Sequence, residues 1–87
     1  MKAYEVIYYS KAEKKLSKIN KNEAKVIFLK ISLLKTDPRP NSSIKLKGYE
    51  YYRLRTGTYR AIYQIDDENK KINIITIKHR SEAYLNL

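Results

Sequence analysis

The feature that most constrains this chain is the run from Leu46 to Tyr84, in which three strand-like segments follow one another with little chain between them. Tyr51 to Arg55 leads through Gly57-Thr58 into Tyr59 to Ile65, and Asp66 to Lys70 then turns the chain into Lys71 to His79. Ile, Tyr and Thr fill the segments, and Gly, Asp and Asn punctuate them. Connections this short join antiparallel neighbours, because a parallel crossover needs about a dozen residues or more. The run therefore predicts an antiparallel meander on which everything upstream must pack.

Upstream, Ala3 to Tyr9 is a further strand, rich in Tyr, Val and Ile. Ser10 and Glu13 have the spacing of a capping box and predict a helix beginning at Ser10, with Ala12, Leu16 and Ile19 on its apolar side. Asn20 or Asn22 breaks that helix and caps the next. From Glu23 to about Lys35 two apolar stripes appear. One is Ala24, Ile27, Phe28, Ile31 and Leu34; the other is Val26, Leu29 and Leu33. A helix apolar on two sides predicts packing on two sides, against the sheet and against the first helix, with a groove for a partner helix as a second use. Asp37 to Ser43, with Pro38 and Pro40, is a loop that leads through Lys45, Lys47 and Gly48 into the meander. The expected fold class is α+β: an N-terminal strand and helical hairpin packed on a mainly antiparallel four-stranded sheet, in one domain over residues 1–87. Ser81 to Leu87 are expected to lie back over the sheet end, held by Tyr84 and Leu85.

Charge indicates the partner. Nineteen Lys and Arg stand against nine Asp and Glu, a formal net charge of +10. Such a surface favours a polyanion such as nucleic acid, a ribosome, an acidic protein or an anionic membrane surface. The two cations are unevenly placed. The first 38 residues hold nine lysines and no arginine, whereas Arg39, Arg53, Arg55, Arg60 and Arg80 all come later. Lysine serves for solubility, but arginine presents a rigid fork that grips phosphate oxygens bidentately. No apolar run could span a membrane, no signal peptide is readable and there is no cysteine, all of which fits an intracellular, cytoplasmic protein.

Strand alternation sorts the meander into two faces. Arg53 and Arg55 share a face with Tyr51, away from Tyr52 and Leu54; Arg60 opposes Tyr59, Ala61 and Tyr63; Lys78 and Arg80 go with Thr76, and His79 goes with Ile75 and Ile77. The helices are expected on one face, and Arg53, Arg55, Arg60, Lys78 and Arg80 on or beside the other, subject to any bulge. Metal and serine-hydrolase toolkits are missing: there is one histidine, no Gly-rich phosphate loop and no Ser-His-Asp arrangement, and Asp66-Asp67-Glu68 reads as a solvated turn. Arg, Lys, Tyr and one His suffice for attack of a ribose 2′-hydroxyl on its own phosphate, which needs positive charge, a base and an acid but no metal or other cofactor.

Leu46-Lys47-Gly48, Tyr52-Arg53-Leu54-Arg55, Gly57-Thr58-Tyr59-Arg60-Ala61-Ile62-Tyr63 and His79-Arg80-Ser81-Glu82-Ala83-Tyr84 resemble the RelE/ParE superfamily of type II toxins, and within it the RelE branch. The resemblance covers essentially the whole chain. It implies a ribosome-dependent endonuclease that cuts mRNA in the ribosomal A site, and a cognate acidic RelB-like antitoxin that wraps and neutralises it in a hetero-oligomer. It assigns Arg60 to phosphate stabilisation, Lys78 and Arg80 to a basic C-terminal pair, and Tyr84 to orienting the reacting nucleotide. Lys45, Lys47, Arg53 and Arg55 become RNA contacts. Where studied members carry strand lysines, one of them assigned as base, this chain has Arg53 and Arg55, which stay protonated. The base is then Lys47, Lys78, His79, Tyr84 or a ribosomal group. Two other readings share the fold: a ParE-like DNA gyrase inhibitor, and a catalytically silent antitoxin- or RNA-binding module.

Overall fold

The structure, a computed structural model, describes residues 3–46, 48 and 50–82. A first strand, β1 (Glu5–Tyr8), leads directly into helix α1 (Ser10–Ser17), followed by helix α2 (Lys21–Ser32) and a 3-10 turn at Leu33–Lys35. After the proline loop come β2 (Ser43–Lys45), β3 (Tyr52–Thr56), β4 (Tyr59–Asp66) and β5 (Lys71–His79). They form one sheet in the order β1-β5-β4-β3-β2. All pairings are antiparallel except that of β1 with β5, which is parallel. The fold class is the expected α+β, with one correction: the sheet has five strands. Ser43–Lys45, read from sequence as a lead-in, pairs with β3 as a short edge strand, fixed where the Ser43 N–H and hydroxyl both donate to the Pro40 carbonyl.

The core lies between one sheet face and the helices. Leu54, Ala61, Tyr63, Ile72, Ile74 and Ile77 from the sheet meet Ala12, Leu16, Ile27, Ile31 and Leu34. Ile72, Ile74 and Ile77 cannot share a face by simple alternation. They do so because the β4–β5 register slips between Ile62, opposite Thr76, and Tyr63, opposite Ile74. Ile75 is the extra residue of this bulge, so only Ile77 of the pair assigned to the face of His79 remains in the ladder beside it.

The first helix begins at Ser10 and Asn20 caps the second, as expected, but the capping of the first and the packing of the second need correction. Ser10 does not cap α1. Tyr9 is the extended N-cap residue, held in the sheet because its N–H donates to the Ile74 carbonyl at 2.9 Å, and no side chain caps the helix. Ser10 is thus already helical, and the Ser10–Glu13 spacing closes no capping box. At α2, Asn20 is the cap, its side chain accepting from the Asn22 N–H at 2.8 Å. The second stripe of α2 is not packed: Val26, Leu29 and Leu33 are exposed, because α1 packs on β5 and leaves that side of α2 open. Phe28, expected inward, is 46% exposed and rests its ring against Tyr8 at 5.3 Å. With Tyr4, Val6, Tyr8 and Leu29 it lines an open groove of ≈ 540 Å³.

One polar network ties the proline loop to the far hairpin. Asp67 accepts from Tyr4 Oη at 2.6 Å and from Arg39 Nη2 at 2.8 Å, while Arg39 Nε donates to Tyr52 Oη at 3.1 Å. These bonds, the one from Arg39 first, hold the Asp67 carboxyl down at about 2. The buried Tyr63 hydroxyl donates to the Pro38 carbonyl at 2.7 Å, and burial raises the Tyr63 pKa. Among the described residues no helix is long and apolar enough to cross a membrane.

Candidate functional site

Register places the basic side chains. Arg55 on β3 is the cross-strand partner of Arg60 on β4, and Arg60 is the partner of Lys78 on β5. Residues directly opposite in a sheet share a face, and neighbouring strands lie about 4.8 Å apart, so the three α-carbons span roughly 10 Å. The next row on the same face is Ile44, Arg53, Ile62 and Thr76. This face lies opposite the one that carries Leu54, Ala61 and Ile77 against the helices. Three parallel cations are an electrostatically costly use of a sheet, since like charges directly opposite one another repel. The arrangement suits a ligand that brings several negative oxygens at once.

The Gly57-Thr58 turn closes this end of the sheet. Gly57 has a φ of +71°, a conformation that a side chain would strain. The Arg80 N–H donates to the Thr58 carbonyl at 2.7 Å, which brings exposed Arg80 to the same end as Arg55, Arg60 and Lys78. Arg53, Arg55, Arg60 and Lys78 therefore share one face, as strand alternation predicts, and Arg80 lies at the same end of the sheet.

His79 and Lys45 are placed elsewhere. His79 pairs with Tyr59, on the helix side of the sheet, and packs edge-on to the Tyr59 ring at 5.2 Å. Its Nδ1 accepts from the Ser81 N–H at 3.2 Å and lies 2.8 Å from the Ser81 hydroxyl. These contacts hold His79 at the sheet end, on the face away from Arg60. Lys45 pairs with Tyr52, also on the helix side, and lies 4.0 Å from Glu50. Lys47 and Tyr84 fall outside the described residues, as does the predicted docking of Leu85 over the sheet.

Glu82 of the C-terminal motif lies between β5 and α1. Its carboxylate accepts from the His79 N–H at 3.0 Å, lies 3.5 Å from Lys15 Nζ of α1 and lies 3.8 Å from Lys78 Nζ. The His79 N–H first, and then the charges of Lys15 and Lys78, hold it below the usual carboxylate range. The i,i+4 spacing of Lys78 and Glu82 was the available signal, but Lys78 reads as strand and that spacing has meaning on helices. Among the described residues, no three of His, Cys, Asp and Glu could together hold a metal ion.

The fold and its charged face define a class: a small α+β domain with two helices on one face of a five-stranded sheet and a row of cations on the other. Within that class, the chain belongs to the ParE toxin family of type II toxin–antitoxin systems: the family model described as the ParE toxin of the type II toxin–antitoxin system parDE matches residues 6–84. Its structure resembles that of the archaeal RelE–RelB complex from Pyrococcus horikoshii OT3, at 30% identity and a TM-score of 0.82, covering 93% of this chain and 99% of that one. It also resembles the intact E. coli RelBE toxin–antitoxin complex, at 26% identity and a TM-score of 0.77, covering 93% of this chain and all (100%) of that one. Toxin RelG of Mycobacterium tuberculosis is 42% identical over 33 residues, and the chain spans 38% of the length of that relative. These likenesses set it in the RelE branch of the RelE/ParE superfamily.

Proposed function

We propose that this toxin is a ribosome-dependent, metal-independent endoribonuclease that cuts mRNA in the ribosomal A site and so inhibits translation. The observation that carries the reading is the register Arg55–Arg60–Lys78. In the reaction the 2′-oxygen gives up its proton to a base and attacks the adjacent phosphorus, the bond to the 5′-oxygen breaks as that oxygen takes a proton from a general acid, and the products are a 2′,3′-cyclic phosphate and a free 5′-hydroxyl. Arg60, central in the row, contacts the phosphate and offsets the charge that builds on its oxygens, with Arg55 and Lys78 beside it and Arg80 at the sheet end. Arg53 lies one row further along and suits a neighbouring phosphate. The proton on the 2′-oxygen is not taken by an arginine, which stays charged. The seat of His79 against Tyr59 favours Lys78, Lys47, Tyr84 or a ribosomal group over His79 as base.

The partner that restrains the toxin is proposed to be an acidic RelB-like antitoxin acting in the same cytoplasm. Similar solved structures include RelE–RelB complexes, and the outer side of α2 offers exposed Val26, Leu29 and Leu33 flanked by exposed Lys25 and Lys30. An amphipathic acidic segment would complement both.

The test is cleavage of a defined mRNA in a purified translation system, with and without ribosomes, beside Arg60→Ala. Ribosome-dependent cuts within the A-site codon that Arg60→Ala abolishes are expected. Absence of cuts in the unaltered protein would overturn the reading, and inhibition of gyrase supercoiling by the same preparation would put the ParE-like activity in its place.

A further inference from the structure

Glu82 joins the cation row to the helical layer. One carboxylate oxygen accepts from the His79 N–H at 3.0 Å, and the Glu82 N–H donates back to the His79 carbonyl at 2.9 Å, so backbone and side chain together fix where the carboxylate sits. From there it lies 3.8 Å from Lys78 Nζ, and both of its oxygens lie 3.5 Å from Lys15 Nζ on α1. Lys78 has only 8% of its side chain exposed, whereas Glu82 has 36% and Lys15 40%. A lysine stem is flexible, and its ammonium keeps one position only if something holds it. The row also crowds Arg55, Arg60 and Lys78 together, and an anion at its end offsets part of their repulsion. The carboxylate is held in its charged form, chiefly by the His79 N–H.

We propose that Glu82 is a positioning residue for the phosphate chemistry: its carboxylate sets the Lys78 ammonium at the end of the Arg55–Arg60–Lys78 row and anchors that setting to α1 through Lys15. The inference rests on the nuclease reading above. It gives the acid of the C-terminal motif a role that acts through Lys78 and not on RNA directly, since a carboxylate facing the phosphate would repel it.

A double-mutant cycle tests it: single-turnover cleavage on programmed ribosomes by the unaltered toxin, Glu82→Gln, Lys78→Met and the double variant, with ribosome affinity and thermal midpoint measured alongside. Glu82→Gln keeps an oxygen to accept from the His79 N–H but carries no charge. It is expected to slow the cleavage step about 10- to 100-fold, while affinity and thermal midpoint stay near the unaltered values. In the Lys78→Met background the same substitution is expected to add little, because its effect runs through Lys78. Full-rate cleavage by Glu82→Gln, or equal slowing in both backgrounds, would overturn the positioning role and leave the nuclease reading intact. An unaltered toxin that cleaves nothing would overturn both.

Discussion

Arg60 has a cation on either side of it, so its removal breaks the row in the middle while Arg55 and Lys78 remain. Arg60→Ala is expected to slow cleavage by roughly 100-fold or more, the scale of losing one preorganised group that stabilises transition-state charge. Arg60→Lys should recover only part of the rate, since it restores charge without the fork. Single-turnover rates of the two variants check both statements. Asp67 offers a test by pH. Its folded carboxyl lies at about 2, below the ordinary 3.8, so its contribution to stability is present above the ordinary value and lost as pH falls through the folded one. Asp67→Asn should therefore be less stable than the unaltered protein near neutral pH, with the gap closing on acidification through that window, as followed by denaturant midpoints. The buried hydroxyl of Tyr63 gives a simpler case: Tyr63→Phe orphans the Pro38 carbonyl and should cost about 1 kcal/mol in urea unfolding. At this scale, the arginines were legible because alternation is a local rule. Asp67 and Glu82 were not, because their partners, Tyr4, Arg39 and Lys15, are far away in sequence and meet them only once the sheet and helices have docked.

The two stripes of α2 make contrary predictions although both are apolar. Ile31 is fully buried, and Ile31→Ala should cost about 2–5 kcal/mol. Leu29 is 61% exposed, and Leu29→Ala should change the stability of the free toxin by no more than about 0.5 kcal/mol. Urea unfolding of the two variants side by side decides this. Periodicity could find both stripes, but it could not tell which of them the fold covers. That depends on where α1 goes, and α1 packs on β5. The strands of the meander were legible to within a residue because short turns confine them. Ser43–Lys45 was missed because three residues carry too little pattern to show a strand, and its pairing partner is what makes it one. The Ser10–Glu13 spacing failed for a related reason: Tyr9 belongs to the sheet through Ile74, and a tertiary bond set the helix start.

At the scale of the whole molecule, a net charge of +10 makes association with any nucleic acid strongly dependent on salt. Ribosome affinity measured across a salt series should fall linearly on logarithmic axes, and Arg55→Ala should flatten the slope by about one ion. The sheet order has a different consequence. Glu5–Tyr8 pairs with Lys71–Ile74 and with no other strand, closing a loop that runs through both helices and three strands. Helices and hairpins can form as soon as they are made, but this pairing is the slow, long-range step of folding. On a translating ribosome the first strand must wait, its edge bare, until residues 71–74 emerge. The toxin therefore completes its fold only after the ribosome that is making it has let those residues go.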